Sequence, residues 1–135
     1  LDIRKMIETI ELKEINTDLL ISKMNKSLID LYTNKSIEEY TEILNAMLVL
    51  AVHLKYDLIL KYLAWAPTVA ANERIQFQEI FKCLGTRNNN KDWFLNLFSL
   101  FLGIAHVFGF NMSEVERCFF ENKRLNSCST VIVEY

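Results

Sequence analysis

Residues 93–112 read WFLNLFSLFLGIAHVFGFNM, and none of these twenty positions carries a formal charge. The pattern predicts one helix from about Lys91 to Phe108, apolar on nearly every side. Gly109 then supplies the left-handed residue that ends it. A helix without a polar face has to be covered, by other helices or by lipid. Twenty residues is about the length that crosses a bilayer. However, Asn96, Ser99, His106 and Asn111 fall inside the stretch, and a polar side chain without a partner is costly in hydrocarbon. The reading is therefore the central buried helix of a soluble bundle, and a membrane span is disfavoured.

Outward from this helix the period of three and four recurs along the chain. Ile3, Met6, Ile7 and Ile10 form the apolar face of a short first helix. Asn16, Thr17 and Asp18 can cap a second, with Leu20, Met24, Leu28 and Leu31 inward. Ser36 and Glu39 have the spacing of a capping box and open a third helix that runs to about Leu54. Asp57 suits the start of a fourth, Leu58 to Trp65, which ends before Pro67. Thr68 to Ala71 is ambiguous. Helix resumes from about Ile75 to Leu84 with Gly85 as its expected left-handed stop, and 86–90 is a loop. Asn111 and Glu114 repeat the capping-box spacing and start the last long helix. The expected fold is all-α: a compact bundle of five or six helices around the central apolar one. Residues 1–126 form one domain, followed by a short extended tail, 127–135, whose Thr130, Val131, Ile132 and Val133 are largely β-branched. Residues 50–58 and 104–112 also resemble each other, an apolar helix end, an aromatic corner and an Asx cap, which suggests two similar helical hairpins.

The 135 residues are enough for one domain with a real core. The net charge is −2, with acids and bases intermixed, so no basic stripe exists to neutralise phosphates and nucleic-acid binding by bulk charge is not expected. The three cysteines, Cys83, Cys118 and Cys128, are odd in number and lack CxxC spacing. Cys83 and Cys118 fall on apolar faces and read as reduced core thiols. The first residues, broken by Asp2, Arg4 and Lys5, do not make a secretory leader. An intracellular, reducing compartment follows as the expectation.

Few residues suggest chemistry. Glu39 and Glu42, an ExxE pair, put two carboxylates on one helical face, and paired carboxylates can hold Mg²⁺ through oxygen. The same acids are also explained as a first turn that complements the helix dipole. His53 and His106 are each flanked by apolar residues, and three scattered glycines make no phosphate loop. Tyr56, Tyr62 and Trp65 gather around the Pro67 corner, and Trp93 opens the central helix. Aromatic residues of this kind anchor protein interfaces, and these four are the interface candidates.

The last third of the chain resembles the all-α dimeric dUTPases of the MazG-like nucleoside triphosphate pyrophosphatase superfamily. Gly109, Phe110 and Asn111 resemble that family's corner after its long apolar helix. Phe119, Phe120, Asn122, Lys123 and Asn126 resemble the helix that follows, and Glu39 with Glu42 resembles the first metal-binding pair. The resemblance implies a metal set of Glu39, Glu42 and Asp92, and nucleotide contacts from Asn96, Asn122, Lys123 and Asn126. It also implies Mg²⁺ as the cofactor. The departures are specific. Trp93 and Asn96 stand where the family has a second acidic pair, Phe119 replaces a tyrosine, and Asn122-Lys123 inverts a Lys-Asn order.

Three functions follow as expectations. The first is a non-catalytic helical interaction or assembly module, derived from such a pyrophosphatase, that needs no cofactor and joins a protein partner as a homodimer or in a larger assembly. The second is a Mg²⁺-dependent dUTP or dNTP diphosphatase with a reduced metal site. The third is a virus-type Bcl-2-like interaction protein, which shares only the apolar central helix, and architecture alone does not carry function.

Overall fold

The computed structural model describes residues 1–11, 14–62 and 66–128, without the side chains of 126–128. Seven helices occur among them: α1 (Ile3–Ile7), α2 (Thr17–Asn34), α3 (Ile37–His53), α4 (Asp57–Tyr62), α5 (Glu73–Gly85), α6 (Lys91–Phe108) and α7 (Met112–Cys128). Five long helices make the bundle, and the two short ones, α1 and α4, pack against each other at its side. The all-α expectation holds. Trp65 and residues 129–135, including the expected extended tail, lie outside the described residues. The last helix reaches Cys128, two residues into what the sequence suggests is tail.

Asparagine explains most of the helix starts. Asn16, Asn72 and Asn90 each accept a hydrogen bond from the backbone N–H three residues on, at 3.1, 2.9 and 2.8 Å. Asn111 accepts from Ser113 and, at 3.4 Å, from Glu114. Each such bond satisfies one of the amides that the first helical turn leaves open. Ser36 caps α3 by accepting from the Glu39 N–H at 3.3 Å. The second half of the expected capping box is absent, because the Glu39 carboxylate instead accepts from the Asn34 side chain at 2.8 Å.

The helix ends divide between glycine and non-glycine solutions. Gly109 closes α6 at φ +73°, as its position suggests. Gly85 does not act as a left-handed stop. It is the last residue of α5, and Thr86 covers the open carbonyls of Lys82 and Cys83 with both its N–H and its hydroxyl. Lys35 and Lys55 take left-handed conformations after α2 and α3, at an energetic cost that glycine would not bear.

The core is centred on α3 and α6. Ten of the 18 residues of α6 are buried, so its apolar surface is covered by protein on most sides. The two helices run in opposite directions. Tyr40 at the start of α3 stacks on Phe101 at 4.5 Å and meets Phe110 edge-on at 5.6 Å. Tyr56, beyond the end of α3, lies against Phe94 at the start of α6. α5 packs along α6, α2 along α3 and α5, and α7 along α3. Among the described residues no single helix is long and apolar enough to cross a membrane. α6 and α7 reach that length only together, and they bend by 115° between them.

The ambiguous segment 68–71 is a strap laid across α6. The Thr68 N–H donates to Ser99 O at 3.0 Å. The fully buried Gln76 of α5 holds the strap from the other side. Its Nε2 donates to Thr68 O and Leu100 O, both at 2.8 Å, and its Oε1 accepts from the Ala70 N–H at 2.7 Å. Gly103 makes room: a β-carbon there would stand 2.0 Å from Thr68 O.

Candidate functional site

The polar residues of α3 and α7 meet along one seam. α3 supplies Thr41, backed by the carbonyl of Glu38 one turn earlier, and α7 supplies Cys118 and Asn122 one turn apart. Thr41 is buried at the centre. Its hydroxyl donates to Glu38 O at 2.9 Å and accepts from the Asn122 side-chain amide at 3.2 Å. The Cys118 sulfur lies 3.5 Å from the same oxygen and 4.0 Å from the Asn122 amide. Lys123 extends over the Phe119 ring, 5.7 Å from its centroid. Two buried oxygens, Glu39 Oε2 and Asn45 Oδ1, have no hydrogen-bond partner among the described residues. Such atoms forgo hydration without replacing it.

Charge on α3 beside the seam is damped. Burial pushes the Glu42 carboxyl above its ordinary value, and repulsion from Glu39 adds to the shift. The sign for stability follows from proton linkage. The folded state holds the Glu42 proton more tightly than the unfolded chain, so this contribution is complete below the ordinary value of 4.5 and is lost as pH rises through the folded value. Glu42→Gln is therefore expected to raise Tm modestly at about pH 7 and to leave it nearly unchanged at about pH 4. Differential scanning calorimetry at the two pH values checks this, and a lower Tm at neutral pH would contradict it.

The sequence-derived candidates divide between two ends of the bundle. Asn122 belongs to the α3–α7 seam, with Lys123 beside it, whereas Glu42 is exposed on α3 and the Glu39 carboxylate turns to Asn34 at the end of α2. Asn126 is on the same helix, and its side chain lies outside the described residues. Asp92 and Asn96 belong to the opposite end of α6. Asp92 is exposed in the first turn. Asn96 turns to α5, where its amide lies 3.7 Å from the Cys83 sulfur. It meets neither Glu39 nor Glu42, because α3 and α6 run antiparallel and the start of α6 lies by the end of α3. Burial raises the Cys83 thiol above its ordinary value, and the Asn96 contact partly opposes this. Among the described residues no group of three or more His, Cys, Asp or Glu side chains could hold a metal ion. A catalytic Mg²⁺ needs several oxygen ligands, usually including carboxylates. Glu39 and Glu42 alone, one of them reluctant to ionise, do not fit that requirement.

The aromatic candidates separate as well. Trp93 is not a surface residue: it is only 7% exposed. Its indole N–H donates to Cys83 O at 2.7 Å, tying α6 to α5. Tyr56 is half-buried, and its hydroxyl donates to Asn89 O at 2.8 Å, pinning the 86–90 loop. Both are structural. Tyr62 is 67% exposed, and Leu58, one turn before it on α4, is 62% exposed. The Arg4 guanidinium sits over the Tyr62 ring at 5.3 Å.

Two features escape a reading by periodicity. Thr41 falls among the acidic residues Glu38, Glu39 and Glu42, so its role in the seam has no pattern of its own. Gln76 and Gly103 leave a fainter trace: a glutamine beside the inward Phe77, and a glycine inside the most apolar helix. Compared with protein-family models, curated proteins and solved structures, the chain matches none of them.

Proposed function

We propose that this chain is a helical protein-interaction or assembly module whose contact face includes α4. The observation that carries this is the exposed pair Leu58 and Tyr62, one turn apart on a helix that is itself anchored through the buried Leu60. Apolar side chains at that spacing are how a helix presents anchors to a partner. Arg4 beside the Tyr62 ring adds a cation of the kind enriched in interfaces. The departures at Trp93 and Asn96 from the dUTPase-like pattern favour an assembly role over hydrolysis. The partner is a protein, either a second copy or another subunit.

The test is light scattering during gel filtration at micromolar concentration. The expected result is a mass above the monomer's 15.9 kDa, which returns to the monomer in a Leu58→Glu, Tyr62→Glu variant. A wild-type monomer would overturn the self-assembling form. An assembly indifferent to both substitutions would overturn the assignment to α4.

A reduced nucleotide diphosphatase is the second reading, favoured by the closeness of the Glu39 and Glu42 carboxyls on α3, where Glu39 adds to the upward shift of Glu42. Incubation with a panel of nucleoside triphosphates and Mg²⁺ or Mn²⁺ separates the two. Pyrophosphate release that vanishes in Glu42→Gln would replace the module reading with this one. No release, together with no thermal shift from nucleotide and metal, would remove it.

A further inference from the structure

Between α1, α4 and α6 lies a half-open hollow of about 380 Å³, lined by Ile3, Arg4, Leu60, Lys61, Leu102 and His106, with Leu1, Asp2, Pro67 and Met112. We propose that it binds a small anion with an apolar body, of the class of aryl or short acyl carboxylates. The volume is within the range of small-ligand sites. The floor is apolar, because Leu60 and Leu102 are buried beneath it with Met112 and Pro67 alongside.

The rim decides the sign of the ligand's charge. Four ionisable side chains line the hollow: Asp2, Arg4, Lys61 and His106. Asp2 is already engaged, since its carboxylate caps α1 by accepting from the Lys5 N–H at 3.0 Å. Arg4 pairs with a carboxylate only loosely, with Glu8 at 4.0 Å in solvent, and its guanidinium also sits over the exposed Tyr62 ring at 5.3 Å. Lys61 has no ion-pair partner among the described residues, and it is only partly exposed. Two permanent cations thus face an apolar floor in a chain whose net charge is −2. That combination suits a ligand with one anionic end and one apolar end. A free inorganic ion would leave the floor unused, and a neutral apolar molecule would leave the two cations unused.

The probe is 1-anilinonaphthalene-8-sulfonate, an anionic aryl compound whose fluorescence rises in apolar surroundings. A titration of the folded chain is expected to saturate at one site and to be reversed by octanoate. In an Arg4→Gln, Lys61→Gln variant the probe's affinity is expected to fall about tenfold or more, because charge-assisted contacts are lost. The uncharged N-phenyl-1-naphthylamine should bind that variant and the wild type alike. A Lys26→Gln variant, altered at an exposed site elsewhere, should behave as wild type with both probes. Circular dichroism establishes that each variant is folded. As a second approach, Leu102→Trp is expected to fill the hollow and abolish binding of both probes. Absence of saturable binding to the wild type would overturn the proposal. So would an Arg4→Gln, Lys61→Gln variant that binds the anionic probe undiminished.

Discussion

Gly103→Ala is expected to be among the most damaging small substitutions in this chain, although alanine is the best helix former. In an exposed helix the exchange would gain about 1 kcal/mol. Here the new β-carbon would stand 2.0 Å from Thr68 O and 2.5 Å from Gln76 Nε2. The first of these is backbone, so no side-chain rotation relieves the overlap. Either the strap lifts from α6 or α5 moves away with Gln76. Lifting the strap breaks the bonds from Thr68 N to Ser99 O, from Gln76 to Thr68 O and from Ala70 N to Gln76. Each contributes about 0.5–1.5 kcal/mol, and a buried polar group left unpaired costs about 1–3 kcal/mol more. The expected net loss is about 2–4 kcal/mol, or a fall in Tm of roughly 5–15 °C for a domain of this size. Thermal unfolding followed at 222 nm measures it. Gly85→Ala is the control: nothing lies within 4 Å of its β-carbon position, so its Tm should equal or slightly exceed that of wild type. Because Gly103 and Gln76 share one lock, the losses in Gly103→Ala and Gln76→Ala should be less than additive when combined. A wild-type Tm for Gly103→Ala would mean that the strap carries no tension.

The strap also marks where the sequence stops being legible. The apolar run at 93–112 and the periodic positions of α2 and α3 can be read directly, because helix burial imposes a period of 3.6. Asx caps can be read for the same kind of reason, since the open amides of the first turn need an acceptor at a fixed spacing. Strap 68–71 has no period, and what holds it comes from Gln76 of α5 and Ser99 of α6, further along the chain. Long-range hydrogen bonds of that kind leave no local pattern. Gly85 shows the converse error: a glycine at a helix end suggested a left-handed stop, yet Thr86 supplied both donors and made one unnecessary. The candidate site was legible only in part. Glu39, Glu42 and Asn122 could be grouped by resemblance; Asn122 reaches Thr41 across the seam, whereas Glu39 turns to Asn34 at the end of α2. Asp92 and Asn96 could not be excluded from that group by spacing, because only the antiparallel course of α3 and α6 puts them at the other end. Trp93 had the composition of an interface anchor, but composition does not tell which side of a helix another helix will cover.

Tyr40 joins the core to the seam, and its substitution is expected to have the other large effect. Its ring is fully buried, stacked on Phe101 and edge-on to Phe110, and its hydroxyl donates to Phe101 O at 3.0 Å. Tyr40→Ala removes both ring contacts and opens a cavity between α3 and α6, for an expected loss of about 3–5 kcal/mol. Tyr40→Phe keeps the stack and loses one hydrogen bond, for about 0.5–1.5 kcal/mol. The two variants also separate core from seam. Tyr40 lies between Glu39 and Thr41, so a cavity under the first turns of α3 should loosen the contact of Thr41 with Cys118 and Asn122. Under native conditions Cys118 should then react faster with a thiol reagent in Tyr40→Ala than in Tyr40→Phe, with labelling assigned by mass spectrometry. Equal rates would mean that the seam does not depend on the ring beneath it. Alkaline pH adds an independent check. Burial raises the Tyr40 phenol above its ordinary value of 10.0, so the folded state holds that proton more tightly than the unfolded chain does. Stability is untouched by this group below the ordinary value and is lost as pH rises beyond it. Between about pH 9 and about pH 11, Tm should fall less in Tyr40→Phe than in wild type, because the variant has no phenol there to ionise on unfolding.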